Sequence, residues 1–413
     1  MEETLGCKQG NLKSGDQYTV YIAPSLEMLD SADLGDWIGP INVAVSCCAD
    51  DVLNMTDDPG KLQCLLDMAQ FYGDMYRVKY GATKTKVTVT GPAVDQDYYK
   101  ERRPWTMEGE KVRVVDNNEH LGQVIGVRQE ERNVDLRVKK ARNSLFSLLG
   151  PAFAYKCLMS PAVKLHLFRT FTCPKLRSGL STFALRKINL KPLELFQRKC
   201  LKSFLHLSEH AATPAIHFLT GELPIEGKIH RDIFSLFYSL WTNPKSKVFE
   251  VVKYLLQTSS PNSRTWAVHL RNISQMYGIE DPLKCLESPP PSKHTYKKDI
   301  ITKITAFHER ELRLLAEDNS AMIYLNVALI GLGGRLHPCI TGVKTTHEVR
   351  KMRVHVKMLT GNYLTSEIKS KQSGGSDKCR LCFSATESLE HLVSNCVKID
   401  DLRQRIKMKM TTI

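Results

Sequence analysis

The chain has 413 residues, of which 42% are hydrophobic and 25% charged, and its net charge is +14. That length allows two or three domains with sizeable cores, and the apolar content excludes wholesale disorder. No run of about 18 apolar residues is present to span a membrane. Residues 1–9 carry Glu2, Glu3 and Lys8 without an apolar stretch. They match neither a secretory leader nor an Arg-rich transit peptide, so cytoplasm or nucleus is expected.

The charge is unevenly placed. Residues 1–60 hold two basic and eleven acidic side chains, a balance of −9, which leaves +23 for the rest. An acidic start on a basic body fits metal-binding carboxylates beside a polyanion-binding surface, or simply a solvated surface. The twelve cysteines are mostly scattered singly in apolar settings, as at Cys64, Cys157 and Cys200. That pattern favours reduced thiols over a disulfide framework.

In chain order, Gly6, Gly10 and Gly15 punctuate an opening loop, and Tyr18–Leu29 reads as a helix that Pro24 should kink. The Val-rich run Ile41–Cys48 reads as a buried strand, and Val52–Met55 as its partner, with Asp50 and Asp51 at the turn. Leu62, Leu65, Leu66, Ala69 and Tyr76 recur at helical spacing after Pro59. Val87–Val89 reads as a strand. Lys111–Val115 and His120–Val127 read as two more, around a turn at Asp116–Asn117–Asn118. From Val134 the pattern turns helical: Val134–Leu149 stopping at Gly150–Pro151, then Pro161–Thr172, Pro192–Leu207, Lys228–Trp241, Val248–Leu256 and Ile300–Leu315. Pro289–Pro290–Pro291 suggests a linker, and Lys371–Gly375 a hinge. The expected fold class is therefore α+β, with a small layer of antiparallel strands and helix over residues 1–130 and mostly helix thereafter. Residues 210–370 carry no motif.

Adjacent carboxylates at a hairpin tip repel one another unless a cation offsets the charge. Mg²⁺ prefers oxygen ligands and often uses one or two carboxylates plus substrate phosphates, the arrangement that serves nucleotidyl transfer. An Asp-Asp pair alone is weak evidence, since Asp57–Asp58 is another, in an ordinary turn. The neighbourhood adds to it. Cys48-Ala49-Asp50-Asp51-Val52-Leu53 lies between apolar strands. Gly6-Cys7-Lys8-Gln9-Gly10 with Ser14 precedes it, and Lys84-Thr85-Lys86-Val87 and His120-Leu121-Gly122 follow. In that order these segments resemble the reverse transcriptase of non-LTR (LINE-type) retrotransposons.

The resemblance implies a partial polymerase palm at 1–130, a helical thumb and connection at 131–290, a helical region of unknown role at 291–370, and a zinc module with a basic tail at 371–413. It implies that Asp50 and Asp51 bind catalytic Mg²⁺ and that Lys84 neutralises or protonates the leaving pyrophosphate. Gln9, Gly10 and Ser14 would line the nucleotide and template pocket, and Leu121 and Gly122 would position the primer end. Lys139, Lys140 and Arg142 on the thumb would either touch phosphates or form a solvated helix face. The partners implied are an RNA template and a DNA primer or target, with no membrane. Two residues depart from the family pattern: Cys48 stands where an aromatic is usual, and Gly15 where Pro is. A larger departure is that the family places a further metal-binding Asp ahead of the Gln-Gly segment, which here begins at residue 9. The expectation is a carboxy-terminal part of an RNA-directed DNA polymerase that does not polymerise alone. The alternative is a non-enzymatic nucleic-acid-binding descendant, and a plain helical interaction protein is the third reading.

A second chemical signal is Cys379-x₂-Cys382-x₈-His391-x₄-Cys396. Two thiolates from a Cys-x-x-Cys turn, a His from a helix over Glu387–Asn395 and a fourth Cys suit tetrahedral Zn²⁺ in a closed structural site. His391 and Cys396 are about one and a half helical turns apart, so the helix must loosen between them. The flanking Ser373-Gly374-Gly375-Ser376 cannot supply a core, so metal would stabilise the module. The cluster also resembles the Cys-x-x-Cys…His…Cys element near the end of many non-LTR retrotransposon proteins. Residues 341–413 carry fourteen Lys or Arg and seven Asp or Glu, with Arg403, Arg405, Lys407 and Lys409 after the cluster. That tail either contacts nucleic acid or is solvated. His206, His210 and His217 near Glu209 are a weaker metal candidate, and Gly331-x-Gly333-Gly334 lacks the residues of a phosphate loop and reads as a turn.

Overall fold

The computed structural model describes residues 13–81, 83–91, 96–154, 159–319, 322, 324–327 and 330–404. It is a mixed α+β structure dominated by helices. Its two compact units are each assembled from three stretches rather than from consecutive blocks. One comprises Met1–Leu136, Gly179–Asn189 and Asp232–Tyr296; the other comprises Arg137–Ser178, Leu190–Arg231 and Lys297–Ile413.

The first unit opens with helix Ser14–Ser31, which starts earlier than expected and runs through Pro24. Proline deletes a single backbone hydrogen bond. Here the stripe Ile22, Ser25 and Leu29 stays buried, in contact with helix Pro59–Tyr76, and offsets that loss. Asp58 caps the second helix by accepting from the Lys61 amide at 2.8 Å, and Pro59 occupies its first turn. Strands pair only two by two among the described residues. Val45–Cys48 and Asp51–Asn54 form the expected antiparallel hairpin. Lys86–Val87 pairs with Arg113–Val114 in parallel, against the antiparallel expectation. The chain between the two partners, which includes helix Gln96–Arg102 and the paired strands Thr106–Met107 and Glu110–Lys111, is long enough for that crossover.

The strand expected over Lys111–Val115 is divided. Glu110–Lys111 pairs with Thr106–Met107, while Arg113–Val114 lies beside Lys86–Val87. Leu66, Ala69, Val87, Trp105, Met107, Val112 and Val114 close a small core between these pieces and the second helix. The turn expected at Asp116–Asn118 is also displaced. Asn117–His120 is itself a strand, paired with Gln123–Gly126, and the chain reverses at Leu121–Gly122. Those two residues have φ of 51° and 73°, the twist-matched two-residue turn that glycine accommodates at no steric cost. Buried Asn133 then pins the hairpin to the following helix, bonding both the amide and the carbonyl of Val124.

The triple proline does not behave as a free linker. Tyr238 donates to the Pro291 carbonyl at 2.7 Å and the Trp241 indole donates to the Ser288 carbonyl at 2.8 Å. Helix Ile225–Trp241 therefore holds the segment in place.

The second unit is helical. Helix Gln129–Ala154, which belongs to this unit from Arg137 onward, passes the expected stop at Gly150–Pro151. The stripe Ala141, Leu145 and Leu149 is buried before that point, and one missing N–H does not end a helix so packed. Helix Pro161–Leu167 continues through a widened π turn, Phe168–Thr172, into Cys173–Arg177. Pro174 lies just past that turn, which makes room for its ring. Helices Thr346–Leu359 and Ser366–Ser373 were not legible in the sequence reading. Thr345 and Glu348 form a reciprocal capping box for the first, and Thr365 caps the second. The expected hinge at 371–375 is half helix, ending at Gly374.

Candidate metal centre

Cys379, Cys382, His391 and Cys396 converge, with all four ligand atoms within 4.8 Å of one another. The chain achieves this with a tight knuckle and a loosened helix. The Cys379 amide donates to the Ala385 carbonyl at 2.7 Å and the Phe383 amide to the Cys379 carbonyl at 2.8 Å, so both thiols of the Cys-x-x-Cys turn face one side. His391–Asn395 is a π turn, closed by the Cys396 amide on the His391 carbonyl at 2.7 Å. Its wider spacing brings Cys396 back over the knuckle, as the x₄ separation required.

Cys379 Sγ and Cys396 Sγ are 3.9 Å apart, and Cys382 Sγ lies 3.4 Å from His391 Nε2. A zinc tetrahedron with its usual bonds of ~2.3 Å to sulfur and ~2.0–2.1 Å to nitrogen has edges of about 3.8 and 3.5 Å. The residues fit the ion in kind and in spacing. The Ser384 hydroxyl donates to Cys382 Sγ at 3.2 Å, and this bond, with nearby amides, holds that thiol down to about 5. Cys382 is thus a thiolate at neutral pH, the form a metal needs. Cys379 and Cys396 are buried and Cys382 and His391 are partly exposed, and with all four positions filled by protein the set suits a structural ion rather than a catalytic one.

The knuckle is anchored by Glu387, a residue the sequence reading passed over. Its carboxylate is buried and takes a two-pronged contact from the Arg380 guanidinium, with Nε at 3.0 and 2.9 Å. It also accepts from the amides of Arg380 at 2.8 Å and Ser366 at 3.0 Å. The Arg380 side chain, then these amides, hold the carboxyl down to about 2. Because Ser366 opens helix Ser366–Ser373, one carboxylate ties the metal loop to the helix before it.

The other sequence-derived residues lie as follows. Ala49 and Asp50 form a two-residue turn between paired Cys48 and Asp51, with Ala49 at φ 55°. Both aspartates are exposed at the tip. Lys84 is exposed in the turn before strand Lys86–Val87, its amide on the Gly81 carbonyl. Leu121 and Gly122 form their hairpin tip, and Ser14 opens the first helix. Gln9 and Gly10 lie outside the described residues, as do Cys7, Cys157, Arg405, Lys407 and Lys409. Lys139 and Arg142 are exposed, while Lys140 lines a groove of about 490 Å³ with Arg137, Lys175 and Phe171. The ten described cysteines are all free of disulfides. Among the described residues, the Cys₃His set is the only group of three or more His, Cys, Asp or Glu side chains that could share a metal ion. His206, His210 and His217 are therefore not gathered into one, and no third carboxylate joins Asp50 and Asp51. No described helix is long and apolar enough to cross a membrane. Compared with known protein families and with curated proteins, the sequence matches none.

Proposed function

We propose that this chain is part of a non-LTR retrotransposon reverse transcriptase, and that its own work is to hold nucleic acid. The observation that carries the reading is the two-residue hairpin presenting Asp50 and Asp51 side by side at an exposed tip. Its supports are the Leu121–Gly122 hairpin further along and a closed Cys₃His centre near the end of the chain, in the family's order. Bound Mg²⁺ would supply charge neutralisation for phosphoryl transfer. Asp50 and Asp51 would offer it oxygen ligands, and Lys84 would sit toward the leaving pyrophosphate. The basic residues of the later helices would grip phosphates irrespective of sequence. The non-catalytic alternative gains from the same basic surfaces and needs no completed metal site.

The 413-residue protein is expected to bind an RNA–DNA primer–template hybrid in a salt-dependent manner and not to extend the primer. Mg²⁺ should tighten that binding, and Asp50→Asn with Asp51→Asn should remove the Mg²⁺-dependent part. Absence of hybrid binding would sink the reading. Template-dependent synthesis abolished by Asp50→Asn would instead make the chain an active polymerase.

A further inference from the structure

Helix Thr346–Leu359 buries Val349, Met352 and Val356 on one face. Its other face carries Arg350, Arg353, Val354 and Lys357 at i, i+3, i+4 and i+7, a single stripe along the helix. After Gly361 the chain turns back, with the Asn362 amide on the Lys357 carbonyl at 2.8 Å, and enters helix Ser366–Ser373. Between these elements and the metal knuckle lies a groove of about 380 Å³. Its charged lining is Arg350, Arg353, Lys357, Lys369 and Arg380, with no carboxylate. Of these only Arg380 is held in an ion pair among the described residues, by Glu387. Tyr363, Val354 and Leu364 complete the wall.

We propose that this groove binds a single-stranded nucleic-acid segment, with Arg350, Arg353, Lys357 and Lys369 on its phosphates and a base stacked on Tyr363. The site specifies the nucleic-acid reading given above and rests on it. Two of these cations, Arg350 and Arg353, are arginines, whose forked donors suit phosphate oxygens. The stripe from Arg350 to Lys357 spans about 10 Å, on the order of three nucleotides at the ~3.4 Å rise of a stacked strand. An aromatic ring and aliphatic side chains beside the cations suit a strand that exposes base faces, which a duplex does not. The geometry is pre-set rather than adaptable, since the capping box, Thr365 and the Glu387–Arg380 contact fix all three walls. A nearby imidazole reports the field. His206, half-buried with no partner on Nε2, is pushed down to about 4 by burial and then by Lys164, Arg353 and Lys357.

The test uses the whole zinc-loaded protein and ~12-nucleotide labelled oligouridine and oligothymidine strands, read by fluorescence anisotropy over a salt series. Arg353→Gln with Lys357→Gln should raise Kd at least about tenfold and lower the log–log salt slope by about 1.4, at ~0.7 per phosphate contact on a single strand. Tyr363→Leu should raise Kd about tenfold and leave the slope unchanged. Lys303→Gln, on an exposed pair with Asp299, should change neither. Zinc content and circular dichroism verify that each variant is folded. Uridine and thymidine strands binding alike point to backbone and base-face contacts; a strong preference for uridine adds a 2′-hydroxyl contact and keeps the site. Wild-type affinity and slope in the double variant overturn the proposal, as does a duplex whose binding the double variant weakens equally, or equal displacement by a poly-Glu peptide. A protein that binds the primer–template hybrid but no single strand refutes the groove and leaves the proposed function standing. One that binds neither refutes both.

Discussion

At Cys379 the consequence of a single side chain is direct. Four candidate ligands converge from a knuckle and a π turn that share no apolar core of their own, so thiolate–metal bonds would be the main source of their order once an ion is bound. The purified protein is expected to contain one zinc per chain by metal analysis. Cys379→Ser should lose it and expose residues 376–396 to proteolysis, while the remaining helices keep their circular dichroism. An unchanged zinc ratio in that variant would dismiss the centre. Cysteine spacing made these four ligands legible in the sequence, because a Cys-x-x-Cys pair and its partners lie within eighteen residues. Glu387 was not legible. A lone Glu among polar residues reads as solvated, and only folding buries it between Arg380 and the Ser366 amide.

Among the elements, the Val45–Cys48 and Asp51–Asn54 hairpin carries a cost in its turn. Ala49 adopts φ 55°, where a Cβ crowds the following carbonyl at roughly 1–2 kcal/mol. Ala49→Gly relieves that crowding and gives back part of the gain as extra freedom of the unfolded chain. A net stabilisation of about 0.5–1 kcal/mol is expected in urea unfolding, and a loss of stability would show that the alanine methyl makes a contact worth more. Turn chemistry also explains where element boundaries escaped the sequence reading. Asp116–Asn117–Asn118 has the composition of a turn, yet Leu121–Gly122 has the backbone of one, because the register places the reversal there. Pro24 and Pro151 looked like breaks and are not. A proline costs one hydrogen bond, whereas a stripe such as Ile22 and Leu29 is buried along the whole helix.

At the scale of the whole molecule, the second unit buries titratable groups that make its stability depend on pH. Burial pushes His217 down to about 4 against the opposing pull of Glu222, and burial with His217 beside it does the same to His308. Burial pushes Glu222 up, but the ion pairs with Lys228 and Arg169 outweigh it and hold the carboxyl below its ordinary 4.5. Both histidines have folded pKa values below the unfolded 6.5. Their contribution is complete above 6.5 and is lost as pH falls toward 4, at on the order of 1 kcal/mol per imidazole per pH unit. Glu222 adds a further loss below 4.5. The denaturant midpoint should therefore fall between pH 7 and 5, and His308→Gln should flatten that slope. A flat profile in the wild type, or a slope indifferent to the substitution, would contradict this account.

The sequence by itself determined the composition of the molecule: the α+β-then-helix order, the carboxylate hairpin and the four metal ligands. These are set by short-range patterns such as apolar periodicity, a two-residue turn and cysteine spacing, each contained within some twenty residues. The tertiary structure alone decided which stretches share a compact unit, that the triple proline is held, and that Arg350, Arg353, Lys357, Lys369 and Arg380 face one groove. Those five cations are scattered over about thirty residues among many others of their kind. What singles them out is that no carboxylate shares the groove they line, and that depends on how two helices and a metal knuckle pack.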